Sequence, residues 1–189
     1  MTFKRAFFLW FLLEVMLLFF PMLIYGFSID AIHVTTRFSG RLSLLIFSLL
    51  FILPPEKREL SLSSRSYHIF AIAHGIHLIE LLSFVYLNHT VLNPIRLTGG
   101  FLAYVFVFIM PYLATRAAKS KISVTSFKRI QYGYDFYIWL IFFLTYLPRI
   151  LGKLPLAGGT FSEHVTLFVW VCIMPLLKLI SLLKFKTIR

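Results

Sequence analysis

Apolar residues in this chain come in long runs, each closed by a short basic or Pro/Gly-containing segment, and that arrangement restricts the fold to one that lives in a bilayer. A helix crossing the hydrocarbon core needs about 20 mostly apolar residues, because only an internal hydrogen-bond ladder satisfies its backbone there. Six runs meet or approach that length: 6–27, 41–53, 67–87, 97–115, 132–147 and 161–183. The expectation is an all-α, polytopic integral membrane protein: a six-helix transmembrane bundle forming one domain over residues 1–189, with no soluble module. The second run is short unless it begins nearer Thr35, and Pro54-Pro55 stops it. Residues 28–40 read as a polar loop holding Asp30, His33 and Arg37. The N-terminal run is too long for a signal-peptide core and lacks a small-x-small cleavage site, so a retained span is expected.

Charge separates the membrane class from the nucleic-acid class. Only 14% of residues are charged, against about a quarter in soluble domains. The net charge of +12 is carried by cations at the ends of apolar runs rather than by a patch on a soluble surface, so nucleic acid is not the expected partner. Membrane lipid is. Fourteen Lys and Arg flank one side of the six runs and five the other, which places both termini in the cytoplasm by the positive-inside rule. The single cysteine, Cys172, lies within an apolar run, so no disulfide framework exists.

The third run carries ionisable groups at mid-depth: His74, His77 and Glu80. Such groups are costly in hydrocarbon, face the bundle interior and mark functional sites. Steps of three on a helix rotate by about 60° backwards, so the three residues share one winding stripe. Neutral imidazole is the commonest metal ligand, and two in a bundle suit haem iron or a transition metal. The competing role is bundle glue, through hydrogen bonds to Ser, Thr or Glu on neighbouring helices. Glu80 either fixes the His77 tautomer as an outer partner or is a carboxyl kept neutral by burial. Glu14, in the first run, could pair with a cation or a histidine. Asp135 is expected to pair with Lys128 or Arg129 in the preceding loop, and Lys178 to snorkel to the inner surface. No nucleophile elbow, P-loop or dinucleotide fingerprint occurs, so a nicotinamide or flavin would belong to a partner protein.

Several short motifs then resemble a known family. The run Arg37-Phe38-Ser39-Gly40-Arg41-Leu42-Ser43-Leu44 is similar to the Phe-Thr-Gly-Arg entry of the ferric reductase-like transmembrane domain family. Arg65 followed by His77-Leu78 resembles that family's third span with its haem-ligating histidine. Ala114-Thr115-Arg116-Ala117-Ala118 and Phe127-Lys128-Arg129-Ile130-Gln131 resemble the segment before its fifth span. The likeness covers about residues 34–148 and is nearest to the haem-binding membrane subunits of bacterial periplasmic methionine sulfoxide reductase systems. It implies a bacterial inner-membrane haem b protein, with His77 as axial ligand to the haem iron and electrons taken from a cytoplasmic or quinone donor. The chain departs from the family where the fifth span should carry haem-binding histidines: Gln131 and Tyr134 stand near its start and no histidine follows through Leu147. His74, His89 or His164 would have to substitute, or the iron be five-coordinate, or the haem be absent.

The expected function is therefore transmembrane electron transfer through haem b held by His77 and His74, with Glu80 behind them, toward an extracytoplasmic acceptor via a redox partner. The alternatives are a haem-free structural or partner-binding subunit of the same fold, and a small membrane enzyme using the His/Glu stripe on a lipid.

Overall fold

Long apolar runs with few interior helix breakers become helices, and the computed structural model contains no other regular structure among the residues it describes: 3–53, 60–89, 94–153 and 158–187. The helices are α1 (Phe3–Tyr25), α2 (Ile29–Ile52), α3 (Leu60–Leu87), α4 (Pro94–Ala118), α5 (Val124–Ile150) and α6 (Phe161–Thr187). Five of them, all but α5, are long and apolar enough to cross a membrane. The expected fifth span, 132–147, lies inside α5, but Gln131, Asp135 and three tyrosines thin the apolar content of its first half. Large apolar side chains remain uncovered around the outside, Leu23 at 81% exposure, Leu49 at 68% and Ile79 at 67%. A continuous surface of this kind is stable against lipid and aggregates in water.

The polar loop expected at 28–40 is a correction: those residues open α2. Gly26, at φ +67°, turns the chain out of α1. Ser28 then caps the new helix, its Oγ accepting from the Ala31 N–H at 3.3 Å, with Asp30 complementing the dipole in the first turn. Thr35 and Thr36 turn their hydroxyls back onto the Ala31 and Ile32 carbonyls at 2.9 and 2.8 Å, which satisfies them without leaving the helix. Polarity alone made this stretch resemble a loop. As a helix it carries His33, Arg37 and Ser39 into the bundle, Ser39 fully buried.

Helices α2, α3, α4, α5 and α6 close a ring in that order, α2 also touches α5 across it, and α1 lies outside against α2 and α3. Inside the ring Phe47 meets Phe70 and Phe142 at ring-centroid distances of 5.5 and 5.4 Å. On α5 the buried positions Phe127, Gln131, Tyr134, Ile138, Phe142 and Tyr146 recur every three or four residues, so one stripe faces the ring.

Proline positions explain two of the cross-helix ties. Pro175 has no N–H for the Val171 carbonyl one turn earlier, and the Trp139 indole of α5 donates to that carbonyl at 2.9 Å. Pro21 leaves the Leu17 carbonyl in the same condition, and the Thr35 hydroxyl approaches it at 3.4 Å. A third tie corrects two expectations at once. Lys178 does not snorkel and Asp135 does not look to the loop cations. The two pair at 2.8 Å with 2% and 0% side-chain exposure. Lys178 also donates to the Phe51 carbonyl at 3.0 Å, at the C-terminal turn of α2, and lies 4.4 Å over the Phe51 ring. Its stem is short of the helix end, while a helix C-terminus, a carboxylate and an aromatic face are all within reach.

Candidate functional site

Two serines one turn apart on α2 meet the two histidines of α3. Ser43 Oγ lies 2.7 Å from His74 Nδ1, and Ser39 Oγ lies 3.1 Å from His77 Nδ1. Ser39 also donates to the Glu80 carboxylate. The pairing follows from spacing: residues i and i+4 on α2 oppose residues i and i+3 on an antiparallel neighbour. Gly40 makes the approach possible, since a Cβ there would stand 2.9 Å from His77 Cε1. His74 is held further by Tyr104 and Phe70, whose rings stack on it at 4.8 and 5.3 Å.

This network constrains the His77 tautomer. A serine hydroxyl has one proton. With Glu80 ionised, that proton goes to the carboxylate and His77 donates to Ser39 from Nδ1; the Thr36 backbone also hydrogen-bonds the His77 ring. Both rings line a cavity of about 310 Å³. Tyr104, Phe142 and Tyr146 form much of its aromatic wall.

Toward the end where α2 begins and α5 stops, the same cavity is lined by His33, Arg37, Arg41, Arg149 and His164. Arg41 is paired with Glu163 at 3.1 Å. The Nε atoms of Arg37 and Arg149 are buried and close no hydrogen bond among the described residues. Among the described residues no carboxylate lines the cavity itself; Glu163, paired with Arg41, also acts on Arg37 from just outside it, and Arg149 lies 5.3 Å over the Tyr146 ring. Guanidinium is permanently charged and forked to grip carboxylate or phosphate. Chemically, the cavity offers an imidazole lone pair at its inner end and an anion grip at the other.

The structure brings together His74, His77 and Glu80 as expected from the stripe, yet not as ligands of a bare ion: among the described residues no three His, Cys, Asp or Glu side chains converge on one point. His74 and His77 cannot sandwich one flat macrocycle either. Their ring centroids are 5.6 Å apart on successive turns of one helix, where the α3 backbone blocks a ring from passing between them. Of the proposed substitutes for a fifth-span histidine, His164 shares the cavity and His89 does not; His89 sits past the end of α3 at φ +49°. Tyr134 is packed edge-on against Tyr67 at 5.4 Å, away from the cavity wall.

Glu14 pairs with neither a histidine nor a cation. It is 4% exposed and its carboxylate oxygens close no hydrogen bond among the described residues, because α1 lies outside the ring. Ser39, Ser43, Arg37 and Arg149 escape a reading of the sequence that takes 28–40 for a loop and sees the histidines on one helix only. The Ser39/Ser43 spacing, continued back to Thr35, was the available signal. No family model matches the chain, and no curated protein or solved structure matches it.

Proposed function

We propose that this chain is a six-span integral membrane protein with both termini in the cytoplasm, which holds haem b in the α2–α6 cavity and passes electrons toward an extracytoplasmic acceptor through a partner. The observation that carries this is one cavity lined by a serine-bonded imidazole at its inner end and by Arg37 and Arg149, whose buried Nε atoms close no hydrogen bond among the described residues, at the other. The donor set fits haem: His77 Nε2 suits the iron, and Arg37 and Arg149 suit the propionates. At about 310 Å³ the cavity lies at the small end of ligand sites. Bound there, haem would supply one-electron exchange between ferric and ferrous iron.

The chain's own part is positional and electrostatic. Ser39, with Glu80 behind it, orients the His77 ring as outer partners do. Arg37 and Arg149 favour the anionic end of a ligand and fix which way it enters. No nucleotide fingerprint occurs in the sequence, so the donor is a quinone or a separate redox protein. The cation distribution sets α2's start and His164 toward the outside, and the setting fits a bacterial inner membrane.

One observation favours a haem-free relative of this fold instead. α5 gives the cavity Phe142 and Tyr146 rather than a histidine, so a six-coordinate iron would need His164 from α6. An absorbance spectrum separates the two. After expression with ample haem, the purified protein should show a Soret band and sharpened bands on dithionite reduction. These should be lost in His77→Ala, and weakened or shifted in Arg149→Gln. His164→Ala should keep the pigment with an altered reduced spectrum if His164 is the sixth ligand, and an unaltered one if the iron is five-coordinate. A featureless spectrum at full haem supply would overturn haem binding and leave the structural role.

A further inference from the structure

The outer face of α3 and α4 carries a second concavity, separate from the cavity inside the ring. It is an open groove of about 790 Å³, floored and walled by Ile72, Gly75, Ile76, Ile79 and Phe108. Gly75 sets its depth: a Cβ there would lie 3.3 Å from Phe108 Cε1, so the missing side chain is what leaves the trough. Pro111, on the α4 side, withholds the N–H that would serve the Val107 carbonyl and loosens that turn of the wall.

The groove is polar at one end only. His68, Tyr112 and Thr115 line it there, and Arg116 sits over the Tyr112 ring at 5.8 Å and donates to its hydroxyl at 3.3 Å. Arg65, exposed one turn before His68, stands at the same end. Neither arginine has a carboxylate partner among the described residues. From His68 to Ile79 the groove runs for about 16 Å at 1.5 Å per residue. That is about half of a 30 Å hydrocarbon core, the depth of one leaflet.

We infer that this groove is a binding site for an anionic phospholipid of the leaflet facing the Arg65/Arg116 end. An acyl chain lies along Ile72, Gly75 and Ile79, and the phosphate is held between the two arginines, with the Tyr112 hydroxyl beneath it. Charge complementarity and leaflet length select this occupant over a neutral isoprenoid or a second copy of the chain. Basic pockets between spans bind anionic headgroups in this way, and each cation near the surface adds enough to make two of them worth about a thirtyfold preference.

The test uses the 189-residue chain in dodecyl maltoside micelles doped with palmitoyl-oleoyl phosphatidylglycerol or phosphatidylcholine, with retained lipid counted by native mass spectrometry. Phosphatidylglycerol should be retained about thirtyfold over phosphatidylcholine. Arg65→Gln/Arg116→Gln should erase the preference. Ile72→Trp, which fills the trough from a lipid-exposed position, should lower retention of both lipids while helicity and monodispersity hold. Equal retention by the parent chain, an unchanged preference in the double variant, or undiminished binding in Ile72→Trp would overturn the site. So would a copurifying quinone or a dimer covering the face.

Discussion

Asp135→Asn is expected to be the most damaging conservative substitution outside the cavity. The Asp135–Lys178 pair has a 2.8 Å separation and almost no exposure. At an effective dielectric of 20, two unit charges that far apart attract by about 6 kcal/mol. Amide replacement removes the attraction and leaves an ammonium in an apolar ring, still held by the Phe51 carbonyl and ring. Those remaining contacts hold the net cost to about 3–5 kcal/mol, the range for breaking a buried pair from one side. In a chain of this length that lowers the midpoint of thermal unfolding by roughly 10 °C, read by circular dichroism in a single detergent. The double variant Asp135→Leu/Lys178→Met should recover most or all of the loss, because two well-packed apolar residues can replace a buried pair at little cost. A midpoint for Asp135→Asn within about 2 °C of the parent, below what 1 kcal/mol produces, would refute the assignment. A double variant as unstable as the single one would show that packing, not charge, holds α5 to α6.

Three further outcomes follow from named contacts. Trp139→Phe keeps the aromatic packing but strips the donor from the Val171 carbonyl that Pro175 leaves open, and should cost about 1–3 kcal/mol in the same melt. Pro175→Ala in that background should return part of the loss by restoring the helical N–H, whereas Pro175→Ala in the parent should not. Gly40→Ala puts a methyl 2.9 Å from His77 Cε1 and should swing the ring off Ser39, seen as a change in the imidazole nitrogen shifts by NMR; identical shifts would show that the ring has room. Glu163→Gln should change stability by less than about 1 kcal/mol, since the Arg41–Glu163 pair is partly exposed and its partner stays solvated, and a larger effect in the melt would contradict that.

The helical bundle was legible in the sequence because hydrophobic run length is set by bilayer thickness, a constraint that acts on each segment alone. What failed was local polarity. Asp30, His33, Thr35 and Thr36 resembled a loop because polar residues are rare in lipid-exposed helices. Here they start a helix that touches α1, α3, α5 and α6, and the threonines are absorbed by their own backbone. Lys178 was misjudged for the related reason that snorkelling is the rule for a lysine near a helix end, and only a tertiary contact, the α2 C-terminus with Asp135, overrides it.

The site divides along the same line. The His74/His77/Glu80 stripe is a one-helix property and could be read from spacing, but its chemistry depends on what faces it, and that lies on α2. Ser39 ties Glu80 to the His77 ring, a link invisible from α3 alone. Arg37 and Arg149, 112 positions apart in sequence, converge only because α2 and α5 meet across the ring. A histidine pair on one helix can serve many purposes. Opposite two serine hydroxyls, and in a cavity that Arg37 and Arg149 also line, the same pair has fewer, and haem is the one proposed above. If Ser39→Ala left the ligand's spectrum and affinity as they are in the parent, the hydroxyl would be packing alone, and the case for His77 as a prepared ligand would fail with it.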